Sequence, residues 1–299
     1  MAVGRCRPGR ARLLKGTPDV KFIRFGEPGA EKPGVVDADG VIRDLWGLVS
    51  DIDGAALARG ADLGLGALDL SALPAVDPAT RIGPCVGGVG KFVCIGLNYS
   101  DHAAETGATV PPEPVVFLKA TSAICGPNDA IERPRDSTRL DWEVELGLVI
   151  GKTAKYVSEA EAMDHLFGYC VINDVSEREF QMERHGTWDK GKGCDTFGPI
   201  GPWLVTRDEV ADPCALSMWL EVNGRRFQNG STATMIYKPA FLIAYVSRFM
   251  TLMPGDIIST GTPPGVGMGQ KPPVWLQPGD VVELGIEGLG RQKQTVVQG

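Results

Sequence analysis

The sequence predicts a mixed, strand-rich α+β fold, and three observations carry that expectation. Apolar stretches of strand length dominate the chain. They do not alternate regularly with helical stretches, as a doubly wound or barrel sheet would require, which favours a largely antiparallel roll. Turn signals separate them, at EPG (27–29), DADG (37–40) and two PGD triplets (254–256 and 278–280). The chain has 299 residues, 43% apolar and 22% charged. That is enough for a sizeable core in one large domain with a small one, or in two domains.

Residues 1–19, MAVGRCRPGRARLLKGTPD, are basic and rich in Arg, Gly and Pro. They read as a disordered start, whether a transit segment or an overextended one, with little fixed structure before Val20. From Val20, short apolar runs broken by EPG and DADG predict a small β-rich N-terminal domain over 20–75, with Asp-Gly marking a hairpin. The Pro-containing text that follows has little periodicity and predicts a linker over 76–90. The main domain spans 91–299.

Within it, FVCIGLN is a buried strand by composition. SDHAAETG is a short helix with Ser100 as cap and Gly107 as stop. PVVFLKA is another strand, and WEVELGLVIG alternates before turning fully apolar, as a strand entering a core does. Ser158 with Glu161 and Ser176 with Glu179 have capping-box spacing, on either side of the strand GYCVINDVS. Pro239 suits the first turn of the helix PAFLIAYVSRFM. Each PGD turn leads into an apolar strand.

A formal net charge of −7 argues against a nucleic-acid partner, which calls for a basic surface. It leaves room for anionic substrates, because a cation can reverse the field within one cleft. No run of about 18 apolar residues predicts a membrane span. Seven cysteines with no CxxC pair argue against a disulfide framework or a structural zinc site. A cytoplasmic setting is the expectation, in which the sequons at Asn98 and Asn229 carry no meaning.

Glu143 and Glu145 are two apart on a predicted strand and so share a face, with Trp142, Val144 and Leu146 on the other. Two carboxylates about 4 Å apart at an effective dielectric near 20 repel by about 4 kcal/mol. Water, a basic side chain or a metal must offset that; a solvent-facing strand would show the same spacing. Asp174 ends an apolar run just before a loop, where functional groups project, although a turn residue also fits there. Three carboxylates and no thiolate suit a hard cation, Mg²⁺ or Mn²⁺. His102 and Glu105, three apart on a helix, are neighbours. A carboxylate beside an imidazole raises its basicity, so the pair is a candidate base for water, or else a surface pair. Lys192 lies between glycines that let the backbone approach a ligand. It is a candidate for neutralising an enolate or carboxylate, and Lys119 is a similar one. STGTPPGVGMG follows an apolar strand, but prolines interrupt it and no helix follows, which excludes a phosphate-cradling loop. Thr262 and the backbone N–H groups there could bind a carboxylate.

Seven stretches together, IGLNYSDHAAE, PVVFLKATSAICGPND, DWEVELGLVIGK, GYCVINDVSEREFQ, KGCDTFGPIGPWLVT, LEVNGRRFQNGST and PGDIISTGTPPGVG, resemble the fumarylacetoacetate hydrolase family over about residues 90–270. The resemblance implies that family's β-roll, a Mg²⁺ or Mn²⁺ ion, a homodimer, and a segment around His102 that orders on ligand binding. It assigns the metal to Glu143, Glu145 and Asp174, catalysis to His102, Glu105 and Lys192, and substrate contacts to Gln181 and Thr262; Lys119 and Arg178 are further candidates for substrate contacts. Leu97 departs from acylpyruvate-cleaving members that carry Arg there. The N-terminal module and SEREFQ look closest to bacterial members called ureidoglycolate lyase or 2,4-diketo-3-deoxy sugar-acid hydrolase. The implied reaction is C–C hydrolysis of a small anionic 2,4-dioxo acid. Ureidoglycolate cleavage, oxaloacetate decarboxylation and 2-oxo-acid isomerisation share its metal and enolate logic. A member that binds a metabolite without turning it over is a further alternative.

Overall fold

The computed structural model describes residues 21–60, 63, 65, 68–106 and 110–299; the expected basic start at 1–19 and the Gly107 helix stop lie outside them. A nine-stranded sheet forms the centre, in the order 42–44, 32–36, 21–25, 204–206, 166–173, 144–150, 257–259, 92–96, 115–119. Neighbouring strands run antiparallel except for 257–259 beside 92–96. A second sheet has five strands, in the order 225–231, 217–222, 281–286, 290–298, 131–133. The result is a mixed α+β, sheet-rich fold, with no closed barrel among the described residues.

Alternation along the central strands divides the interior in two. Val93, Ile95, Val144, Leu146, Leu148 and Ile258 face Leu220, Val282 and Leu284 of the second sheet and the Pro239–Val246 helix. Phe92, Cys94, Val149, Cys170 and Ile257 face the other way, onto Phe22, Val35, Leu45, Ile52 and Leu57. The period of two in a strand produces this division. It leaves Glu143 and Glu145 on the side of Val149, and Trp142, Val144 and Leu146 in the core.

The Asp-Gly hairpin at 37–40 joins strands Lys32–Val36 and Ile42–Asp44 as expected. The N-terminal strands extend the central sheet, where Lys21 and Phe22 pair with Val205 and Leu204. Part of the stretch expected to be a linker is packed, with Cys85 and Val86 buried and bridges from Ile82 to Phe25 and from Gly87 to Asp53. Ser176 does not cap its helix; Glu177 does, accepting the Glu179 N–H. Five thiols (Cys85, Cys94, Cys125, Cys170 and Cys194) are free, while Cys214 is disulfide-bonded. No helix of the described residues is long and apolar enough to cross a membrane.

Candidate active site

Strand register brings the three acids together. Ile172 pairs with Glu145 and Asn173 with Val144, so Asp174, the next residue, comes opposite Glu143, and its N–H donates to the Glu143 carbonyl at 2.9 Å. Glu143, Glu145 and Asp174 are 6%, 2% and 0% exposed, and each offers an oxygen within 4.8 Å of the others.

Three cations surround the cluster. Lys192 Nζ donates to Glu143 at 2.7 Å and to Asp174 at 2.9 Å. Lys119 Nζ donates to the other Asp174 oxygen and, at 3.0 Å, to the Val175 carbonyl. Arg178 donates to Glu143 at 2.6 Å and to Asp141 at 2.8 Å. Burial alone would raise the Glu143 carboxyl, but Lys192 and Arg178 overcome it and hold it below the usual carboxylate range. Burial works against the Lys192 ammonium, yet Asp174 and Glu143 hold it above its ordinary value. Glu145 differs. Burial, then repulsion from Asp174 and Glu143, pushes its carboxyl well up. It accepts only neutral donors, Ser259 Oγ at 2.5 Å and the Gly261 N–H at 2.8 Å. No ion pair to it occurs among the described residues.

A buried carboxylate with no cationic partner, in an all-oxygen donor set, fits a hard divalent ion. Glu143, Glu145 and Asp174 would hold it.

The helix Ser100–Thr106 carries the second pair. His102 Nδ1 lies 3.0 Å from Glu105 Oε2, and Glu105 also accepts the Gly265 N–H at 3.0 Å. Residues 259–268 therefore join both halves of the site. Ser259 and Gly261 hold Glu145, Gly265 holds Glu105, and the Gly267 N–H donates to Asp141 at 2.6 Å. Glycine is required at 265: its φ is +106°, and a Cβ would lie 2.0 Å from the Phe227 carbonyl.

The structure brings the ten residues singled out from the sequence into this region, in varied settings. Lys119 and Arg178, expected to contact substrate, turn their charged ends onto Asp174, Asp141 and Glu143. Gln181 accepts from Arg178 at 3.0 Å. The Thr262 hydroxyl donates to the Val144 carbonyl at 2.9 Å and accepts from Gln228 at 2.8 Å. Sequence reasoning missed Asp141, which shares the parity of Glu143 and Glu145 and could have been found by extending the alternation one step back. It also missed Gln228, fully buried, whose Oε1 accepts the Val144 N–H at 2.9 Å; nothing in FQNGS announces that role.

Fold and site define a sheet-rich protein with a buried acidic cluster fit to hold a divalent cation beside a His–Glu pair. The family model described as fumarylacetoacetate (FAA) hydrolase C-terminal matches residues 91–297, and the chain belongs to that family. A Burkholderia multivorans protein named "Putative hydrolase" is 63% identical over 276 residues, covering 92% of this chain and 98% of the relative. The fumarylacetoacetate hydrolase of Exiguobacterium antarcticum superposes with a TM-score of 0.84 at 37% identity, covering 94% and 100% of the two chains. The 2-hydroxyhepta-2,4-diene-1,7-dioate isomerase of Mycobacterium marinum gives 0.73 at 33%, covering 93% and 98%. The maleylpyruvate hydrolase of Sphingobium sp. SYK-6, solved with manganese(II) and pyruvate, gives 0.75 at 32%, covering 93% and 99%.

Proposed function

We propose that this chain is a divalent-cation-dependent hydrolase that cleaves the C3–C4 bond of a small 2,4-dioxo acid, giving pyruvate and a second carboxylic acid. The observation that carries the reading is the tie between the Glu143–Glu145–Asp174 cluster and the His102–Glu105 pair through residues 259–268. The manganese and pyruvate of the Sphingobium structure support the same assignment.

A bound Mg²⁺ or Mn²⁺ would supply Lewis-acid polarisation of the substrate's 2-oxo acid oxygens. With Nδ1–H given to Glu105, the basic nitrogen of His102 is Nε2, which takes a proton from water. The resulting hydroxide adds to C4. The C3–C4 bond breaks with its electron pair going to C3, and the enolate of pyruvate recovers the proton there. Lys192, fixed by Glu143 and Asp174, offsets the enolate's charge. Gln181, Thr262, Arg178 and Lys119 are the candidate groups for orienting the substrate, the last two through the carboxylates they hold.

The isomerase relative favours one rival, proton transfer at C3 with no bond cleavage. A panel of 2,4-dioxo acids, oxaloacetate and ureidoglycolate, assayed for pyruvate, glyoxylate and isomerised substrate with Mn²⁺ and with chelator, separates the cases. Pyruvate together with a second acid from a dioxo acid, lost in chelator, is the expected result. Pyruvate from oxaloacetate alone, isomerised substrate, or activity unchanged in chelator would replace this reading.

A further inference from the structure

The strand Phe92–Gly96 and the helix carrying His102 meet at a sharp corner. Leu97 has φ +53°, a left-handed conformation that an unconstrained leucine avoids. Such strain persists only where surrounding contacts over-determine it, and Asn98 supplies them. The residue is 1% exposed, and both amide donors and the amide oxygen point at two other segments. Nδ2 donates to the Thr260 carbonyl at 2.7 Å and to the Tyr237 carbonyl at 3.1 Å. Oδ1 accepts the Tyr237 N–H at 2.7 Å. Its own carbonyl accepts the Ile236 N–H at 2.7 Å.

Thr260 lies between Ser259 and Gly261, the two donors to Glu145. A Cβ on Gly261 would come within 2.9 Å of the Asn98 Cβ. Asn98 is therefore tied to the backbone that holds the unpaired acid of the cluster, and lies four residues before His102. The second tie between the two halves, Gly265 to Glu105, comes from the same segment.

Resting on the proposed function, we propose that Asn98 is a positioning residue that sets the spacing between the cation held by the acidic triad and the His102 ring. Both donor bonds of its amide are needed for this, and a carboxylate of the same shape does not replace them. Asn98→Asp keeps the acceptor for Tyr237 N–H and loses both donors; Asn98→Ala loses all three side-chain bonds.

The test uses the full chain labelled with ¹³C in its histidine rings. There are three histidines, and a His102→Gln sample assigns the signal. Mn²⁺ is titrated into wild type and both variants, and its relaxation effect on each ring is measured. In wild type, Mn²⁺ relaxes His102 far more than His165 or His185. In both variants Mn²⁺ binds with wild-type affinity, its effect on His102 falls, and kcat drops by about 10²-fold with KM little changed. Wild-type relaxation of His102 and wild-type kcat in either folded variant overturns the proposal. Loss of Mn²⁺ affinity in step with kcat also overturns it, since that marks a general structural role. If His102 in wild type escapes relaxation although Mn²⁺ binds, the proposed function fails, independently of Asn98.

Discussion

Glu145→Gln should make the cation-free protein more stable, although it alters a buried residue of the site. The cluster's oxygens lie within 4.8 Å of one another, so at an effective dielectric near 20 each ionised pair costs about 3.5 kcal/mol. Without a cation the site avoids this by keeping a proton on Glu145, whose carboxyl is pushed up first by burial and then by Asp174 and Glu143. The sign follows from linkage. A carboxyl raised in the folded state contributes its full stability below the unfolded-state value and loses it as pH rises through the folded one. Each unit by which the folded carboxyl stands above its unfolded value costs about 1.4 kcal/mol once the pH is above both. Glutamine imitates the protonated acid, keeps an oxygen for Ser259 and Gly261, and carries no such loss. Thermal melts in chelator should therefore place the variant above wild type near neutral pH, by about 3 °C for each such unit at about 2 °C per kcal/mol. The two curves should converge near pH 4. Mn²⁺ at about 100 times its Kd should raise wild type by about 2.7 kcal/mol and the variant by little, narrowing the difference between them. A variant less stable than wild type in chelator across this range, or an equal Mn²⁺ shift in both proteins, would refute the reasoning.

His102→Ala should lose about 10²–10⁴ in kcat, the usual worth of a general base, while Mn²⁺ affinity measured by calorimetry stays at the wild-type value; an undiminished rate removes His102 from the chemistry. Gln228→Leu strips the buried Val144 N–H and Thr262 hydroxyl of a partner. It should cost about 1–3 kcal/mol in urea unfolding, and a midpoint within error of wild type would show that water or a neighbour replaces the amide. Gly191→Ala puts a Cβ 2.4 Å from the Glu177 carbonyl and 2.5 Å from the Gln181 N, so the segment bearing Lys192 must move off the Arg178–Met182 helix. Overpacking of about 1–3 kcal/mol is expected, with a fall in kcat that restoring stability with an osmolyte does not recover; full recovery would show that Lys192 had not moved.

What the sequence revealed of this site depended on the range of the interactions. Glu143 and Glu145 were legible because a strand's period of two is local, and His102 with Glu105 because a helix brings i and i+3 together. The hairpin at 37–40 and the strands after both PGD turns follow from turn chemistry of the same short range. Lys119 and Arg178 were recognisable as site residues, but not as partners of Asp174 and Asp141, since those pairs span 55 and 37 positions. The pairing of Lys21 and Phe22 with Val205 and Leu204 spans most of the chain and has no local mark, so the N-terminal strands read as a separate module. The stretch 76–90 was read from equally local marks. Proline and low periodicity signal irregular backbone, and irregular backbone can be packed as closely as a strand when it contributes residues like Cys85 and Val86.

The charge of the centre limits what it can bind. Its ion-paired core contains four carboxylates, Asp141, Glu143, Glu145 and Asp174, and three cations, Lys119, Arg178 and Lys192. One negative charge is left over, and it falls on Glu145, the acid with no cationic partner. A proton there makes the buried centre neutral, as a low-dielectric interior demands. Exchanging that proton for a divalent ion leaves a single positive charge, which is costly to bury unless a ligand brings a negative one. Under the proposed reading that ligand is the carboxylate end of a 2-oxo acid. Cation and substrate should then bind with positive coupling, a 2-oxo acid tightening Mn²⁺ and Mn²⁺ tightening the acid by the same factor. A neutral ester of that acid should lack the effect. Equal coupling for acid and ester would mean that charge does not govern what the centre accepts.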